Sequence, residues 1–301
     1  MPKPKGGGAS IILIVFCLIV VLSVYQLIDK ELSQSLMAGL FIVSVIGLID
    51  DLKNLSVVIR AAMYLFAALL SIYFIGGLPA LEINNYTFDL SYLGYVFSVF
   101  FVVWLINLYN FMDGTDGFAA IQTISVSLFC GLILYFSGHI SFSIIFFCIV
   151  SSTIGFLYWN WAPAKIFMGD VGSCSLGFLF GILAIYTEKK GILSISVWLV
   201  LLTPFVGDAT FTLLKRIINR EKWYKAHNSH AYQRLYQLGV SHDKLAVSLL
   251  FLNVLVFWPL AYFANSYDNL ELTIIILSYF IIGFIWMIIQ FKYEKIINGS
   301  R

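Results

Sequence analysis

Asn107-Leu-Tyr-Asn110-Phe-Met-Asp113-Gly-Thr-Asp116-Gly-Phe-Ala-Ala120 lies between two long apolar runs, residues 93–108 and 118–136. Asn107, Asn110, Asp113 and Asp116 recur at steps of three, which keeps polar side chains on one side of a helix end. Gly114 and Gly117 release the backbone, so the two carboxylates can converge. The stretch reads either as a glycine turn with solvated side chains or as an oxygen-rich site for a hard divalent cation. Mg²⁺ takes one or two carboxylates and leaves room for substrate phosphates.

The apolar runs on either side are two of many. Of 301 residues, 60% are hydrophobic, 17% aromatic and only 11% charged, and mean hydropathy is +0.92. This excludes an ordinary soluble globule. Segments long enough to cross a bilayer occur at about 10–28, 32–49, 57–75, 93–108, 118–136, 140–157, 172–186, 192–214, 245–264 and 272–291. They predict an all-α polytopic membrane protein with about ten transmembrane helices, in a single domain covering residues 1–301. Ala9–Ile28 follows Lys3 and Lys5 but is too long for the apolar core of a signal peptide and has no cleavage pattern after it, so it reads as a retained first helix. Cys17, Cys130, Cys148 and Cys174 sit in or beside apolar segments and read as small buried hydrophobes.

Alternating the spans puts 15 of the 18 Lys and Arg residues on one side, leaving only Lys30, Lys189 and Lys190 on the other. The positive-inside rule then makes that side, and both termini, cytoplasmic. The loops at 50–56, 107–117, 158–173 and 215–244 face the same way and hold nearly all the unusual polar residues. The longest opposite loop, Gly76 to Tyr92, with Pro79, Asn84 and Asn85, reads as a solvated cap.

Three further constellations share the cytoplasmic face. Asp50-Asp51 closes the second span, where a carboxylate pair opposes the helix dipole, and either Lys53 or a bound cation should compensate it. Phe167-Met-Gly169-Asp170-Val-Gly172-Ser173 leads into the seventh span. Asp170 between glycines can approach a metal, and Ser173 with free N–H groups at a helix start is either a simple cap or an anion site. The basic loop from Lys215 to Arg234 enforces topology or touches lipid headgroups. Its His227 and His230 lack the partners of a zinc site and suit phosphate oxygens. Asp208, inside the eighth span, reads as support for the site or as a proton-relay residue. Five carboxylates beside a basic loop would repel one another. A divalent cation carrying phosphates satisfies both, which points to phosphoryl transfer at the membrane surface.

These motifs resemble the bacterial polyprenyl-phosphate N-acetylhexosamine-1-phosphate transferases of glycosyltransferase family 4. The likeness rests on Asp50-Asp51, on Asn107-x-x-Asn110-x-x-Asp113-Gly-x-Asp116-Gly, on Phe167 to Ser173, on Pro204-Phe-x-x-Asp208, and on His227-x-Ser-His230-Ala-Tyr-Gln-Arg234. It implies transfer of a sugar 1-phosphate from a UDP-N-acetylhexosamine to undecaprenyl phosphate, with Mg²⁺ or Mn²⁺ as cofactor and release of UMP. It also implies a bacterial inner-membrane location, allows a homodimer and leaves no role for nucleic acid. The resemblance makes Asp170 the leading metal ligand with Asp113 beside it, and Asp50, Asp51, Asp113 and Asp116 the catalytic candidates. Asn107, Asn110, Ser173, His227, His230 and Arg234 become substrate-binding candidates. The His-x-Ser-His-Ala-Tyr-Gln-Arg form is similar to the subgroup that starts O-antigen or capsule-type glycans, although Asn228 stands where an Arg is common. Pro2-Lys-Pro-Lys-Gly6-Gly7-Gly8 resembles a stretch that follows a first helix in the family, which predicts either a mis-set start with a further helix ahead of Met1 or a truncated, inactive protein. The rival class is an ion-coupled transporter, which would place its polar residues near mid-membrane and often in repeated halves. A CDP-alcohol phosphotransferase would need an Arg that Asp116-Gly-Phe-Ala-Ala lacks.

Overall fold

The computed structural model describes residues 3–78, 80–84, 86–222 and 227–299, so the expectations that fall on Met1, Pro2, Pro79, Asn85, Lys225 and Arg301 lie outside the described residues. The ten apolar segments reappear as helices. They are α1 (Ala9–Val24), α2 (Lys30–Lys53), α3 (Val57–Ile75), α4 (Ser91–Met112), α5 (Phe118–Phe136), α6 (Ile140–Asn160), α7 (Asp170–Lys189), a bent pair α8 (Ile195–Leu201) and α9 (Thr203–Ile218), then after the short α10 (Ala231–Gln237), α11 (His242–Leu252) with α12 (Trp258–Ser266), and α13 (Glu271–Gly299). Among the described residues eight spans are long and apolar enough to cross a membrane, nine if the bent pair is one span, and α1 is a shorter apolar helix. Leu13, Phe41, Phe66, Phe100, Phe280 and many other large apolar side chains are exposed. Water would not tolerate such a surface, but a bilayer does. Cys17 belongs to this outer face, which corrects the expectation of a buried thiol there.

At the centre stands α7, in which every residue from Val171 to Thr187 is buried. A helix that is apolar all round belongs inside a bundle, and α2 and α4 flank it. The fit against α2 is close at Gly47, where a Cβ would lie 2.6 Å from the Val171 nitrogen. Any larger residue would push the end of α2 away from the start of α7, and with it the Asp50-Asp51 pair from Asp170.

The eighth segment departs from the expected straight span. Its halves meet at 72°, with Pro204 in the first turn of α9. A break inside a membrane frees backbone groups that lipid cannot satisfy. Gln122 of α5 supplies the remedy: its Nε2 donates to the Leu201 carbonyl at 2.9 Å, and its Oε1 accepts from Asn253 Nδ2 at 2.8 Å. Asn253 opens a π-helical turn, Asn253–Phe257, between α11 and α12.

The expected solvated cap contains a β-hairpin. Strands β1 (Ala80–Ile83) and β2 (Tyr86–Asp89) pair antiparallel, Ala80 opposite Asp89. Asn84 ties it down, its N–H donating to Glu271 and its Oδ1 accepting from the Leu272 N–H at 2.9 Å. This cap sits at the end of the bundle opposite the start of α7.

Candidate functional site

The second span ends at Lys53 because Asn54 turns left-handed (φ 49°). Three residues later α3 begins behind a Ser56 cap. This tight corner returns Arg60 to the end of α2, where its Nη1 lies 2.8 Å from Asp50 Oδ2 and 3.1 Å from Asp170 Oδ2. Asp50 is buried and also accepts from the Leu55 N–H. Arg60 therefore compensates Asp50 at the end of α2, part of the role expected of Lys53 or a bound cation. Asp170 takes a second donor on its other oxygen, Asn110 Nδ2 at 2.9 Å. Asn107, one turn earlier on α4, instead bonds back to its own Val103 carbonyl.

Asp51 points the other way. Its two carboxylate oxygens accept the Asp170 and Val171 N–H groups at 3.0 and 3.2 Å, so the end of α2 caps the start of α7. Gly169 makes the cap possible, since its φ is +77° and a Cβ there would stand 2.4 Å from Asp51 Oδ2. The next two N–H groups, of Gly172 and Ser173, bond to the Gly169 carbonyl. The free N–H groups expected beside Ser173 are thus already paired. The Ser173 hydroxyl, fully buried, donates to the Gly169 carbonyl and accepts from Asn110.

Asp51, Asp113, Asp116 and Asp170 line one cleft of about 210 Å³, together with Lys5 and Asn160. Asp116 is buried. Its Oδ2 accepts the Ala164 N–H at 2.9 Å and lies 3.3 Å from His242 Nδ1, so it fastens two loops. Asn160 fastens them again, accepting from the Gly117 N–H and donating to the Ile166 carbonyl. Asp113 is different. Half-buried at the mouth of the loop, its carboxylate takes no hydrogen bond or ion pair among the described residues. Burial and the nearby carboxylates of Asp170, Asp51 and Asp116 hold its pKa well above the usual range. Among the described residues no three His, Cys, Asp or Glu side chains form a ready-made metal cage. A hard cation that keeps waters and substrate phosphates needs only one or two carboxylates, and an unpartnered one facing three others meets that requirement.

The basic loop between α9 and α10 does not contribute to the cleft lining among the described residues, and α10 packs against Phe111–Gly114. Asp208, buried in α9, accepts the Ala231 and Tyr232 N–H groups at 2.8 and 3.3 Å and so caps α10. Tyr232 then donates its hydroxyl to the Phe111 carbonyl at 2.8 Å, docking α10 on the Asp113 loop. His230 is buried with its Nδ1 3.7 Å from Asp208 Oδ1 and without a hydrogen bond among the described residues, and its ring lies 4.9 Å from that of His227. Burial, followed by the proximity of His230 and Arg216, lowers the His227 pKa to about 4. Arg234 turns toward α13, over the Tyr293 ring and 3.6 Å from Glu294.

Residues 33–188 match the family model described as Glycosyl transferase family 4. The chain belongs to glycosyl transferase family 4. Over 264 residues it is 29% identical to a Bacillus subtilis protein named a probable undecaprenyl-phosphate N-acetylglucosaminyl 1-phosphate transferase, covering 84% of this chain and 71% of that one. It is also 39% identical over 104 residues to a phospho-N-acetylmuramoyl-pentapeptide-transferase of a Wolbachia from Brugia malayi (34% of this chain, 32% of that one) and 28% identical over 198 residues to one of Streptococcus thermophilus (60% and 58%). The family match runs through α7 and so includes Asp50, Asp51, Asn110, Asp113, Asp116 and Asp170. Arg60, Asn160 and the cleft-lining position of Lys5 escaped the sequence reading. Only a polar residue at the end of an apolar span, in Trp159-Asn160-Trp161, offered a signal for Asn160.

Proposed function

We propose that this chain transfers an N-acetylhexosamine 1-phosphate from a UDP-sugar to undecaprenyl phosphate at the cytoplasmic face of the bacterial inner membrane, releasing UMP and starting a lipid-linked surface glycan. The observation that carries this reading is the acidic cleft at the end of the apolar bundle, with Asp113 unpartnered beside Asp170. Family membership supports it, and so do the names of the relatives. A transporter would need such groups near mid-membrane, whereas these lie at helix ends.

In this reading an oxygen of the lipid phosphate attacks the sugar-bearing phosphorus, and the bond from that phosphorus to the UMP oxygen breaks. A phosphate monoester with a second pKa of about 6 is already largely dianionic at neutral pH, so the attack needs no covalent aspartyl intermediate. Asp51 and Asp50 are poor nucleophiles here, the one capping α7 and the other paired with Arg60. Asp113 and Asp170 would hold Mg²⁺, which when bound neutralises charge on the transferring phosphates. Asn110 and Arg60 fix the orientation of the Asp170 carboxylate. His227 and His230 would meet the pyrophosphate from the Phe111 side.

Membranes carrying the protein, supplied with undecaprenyl phosphate and Mg²⁺, are expected to exchange labelled UMP into a UDP-N-acetylhexosamine. A panel of UDP-sugars identifies the donor, and no exchange with any of them overturns the reaction. Asp170→Asn should abolish exchange, and an active variant removes Asp170 from the metal role.

A further inference from the structure

Lys5 is the one cationic side chain among the cleft-lining residues, which otherwise include the carboxylates of Asp51, Asp113, Asp116 and Asp170. It is exposed, and it forms no ion pair with any of the four. A lysine beside four carboxylates that pairs with none of them leaves its three donors available to an incoming anion.

Its place is fixed by the backbone. The Gly7 and Gly8 N–H groups donate to the Phe167 and Met168 carbonyls, both at 2.9 Å, and the Phe167 N–H donates to the Pro4 carbonyl at 3.0 Å. The Lys3 ammonium lies 5.3 Å from the centre of the Phe167 ring. The segment carrying Lys5 is therefore fastened to the loop that ends in Gly169–Asp170. Four residues after Lys5 the apolar helix α1 begins. The ammonium thus stands at the polar end of the bundle, about one helical turn ahead of an apolar helix, as basic residues beside membrane-facing helices do.

The transfer brings three phosphate groups to an acidic wall, two on the UDP-sugar and one on the lipid. Arg60 is committed to Asp50 and Asp170, and His227 and His230 are not among the cleft-lining residues. From these positions we infer that Lys5 binds the phosphate of the polyprenyl acceptor and thereby sets recognition of a lipid phosphate over the free alcohol. This assignment rests on the proposed transfer reaction. Binding is electrostatic, with no bond made or broken at Lys5.

The test uses the purified full chain in nanodiscs with a short-chain polyprenyl phosphate. Lys5→Met should raise the KM for that acceptor roughly 10- to 100-fold and leave the KM for the UDP-sugar within about twofold. Lys5→Arg should recover most of the loss, which separates a lost charge from a lost fold. Direct binding supplies a readout besides turnover: wild type should prefer polyprenyl phosphate to polyprenol, and Lys5→Met should lose that preference. A change confined to the UDP-sugar KM, an unchanged acceptor KM, or inorganic phosphate competing as well as the lipid would each overturn the assignment. If wild type turns over no UDP-sugar, the reaction falls, while the phosphate-over-alcohol preference still decides the role of Lys5.

Discussion

Asp51 and Asp208 do the same local job in two regions of the molecule. Each sits on one helix and caps another, accepting the first pair of N–H groups of α7 in one case and of α10 in the other. Their surroundings separate them. Asp208 is 5% exposed, and Thr212 donates to it as well. Asp51 lines an open cleft with three other carboxylates. One capping carboxylate serves architecture alone, setting α10 and its histidines against Phe111. The other ties architecture to the proposed site, because the N–H groups that it holds belong to Asp170 itself and the residue after it.

The largest expected effect is therefore on the buried cap. Asp208→Ala leaves two N–H groups and a hydroxyl without a partner and should cost about 2–4 kcal/mol, read as a lower thermal midpoint with faster proteolysis between α9 and α10. Asp51→Ala should cost about 1–3 kcal/mol, since water can reach part of the vacated site, and should also stop UMP exchange. Equal costs for the two would erase the distinction. Next is Arg60→Gln, at about 1–2 kcal/mol for a side chain that is 28% exposed. If it costs more than Asp51→Ala, the salt bridge and not the cap joins α2 to α7. The smallest effect is on the α10 side and depends on pH. Burial holds the His227 pKa at about 4 in the folded chain, against the ordinary imidazole value of about 6.5 when unfolded. The unfolded chain thus binds the extra proton between those values, and stability held above pH 6.5 is lost as pH falls toward 4. Lowering the pH from 7.5 to 5.5 should remove about 1 kcal/mol, and His227→Gln should flatten that part of the thermal profile.

The helices were legible because a bilayer sets their length and their apolar composition, and the bend at Leu202 had a local sign in Pro204. The acidic residues were legible as motifs because Asp and Asn between glycines are out of place at the ends of apolar runs. Their partners were not. Asp51 meets Asp170 across 119 residues, and Arg60 meets it across 110. No periodicity records such a pairing. The sequence also could not say that Asp51 would spend its oxygens on backbone while Asp113 would keep both of its own. That follows from the close fit at Gly47 and Gly169, where the absence of a side chain lets two helix ends meet.

The buried amide of Gln122 carries a consequence for biogenesis. Its acceptor, the Leu201 carbonyl, lies 79 residues further along the chain, and its donor Asn253 lies 131 residues further. At a synthesis rate of about 5–20 residues per second, α5 leaves the ribosome roughly 4–16 s before its acceptor exists. Through that interval a polar side chain in a nascent membrane helix must be held by water, by its own backbone or by the insertion machinery. Gln122 is thus an obligation that the chain takes on early and discharges only as Leu201 and then Asn253 are made.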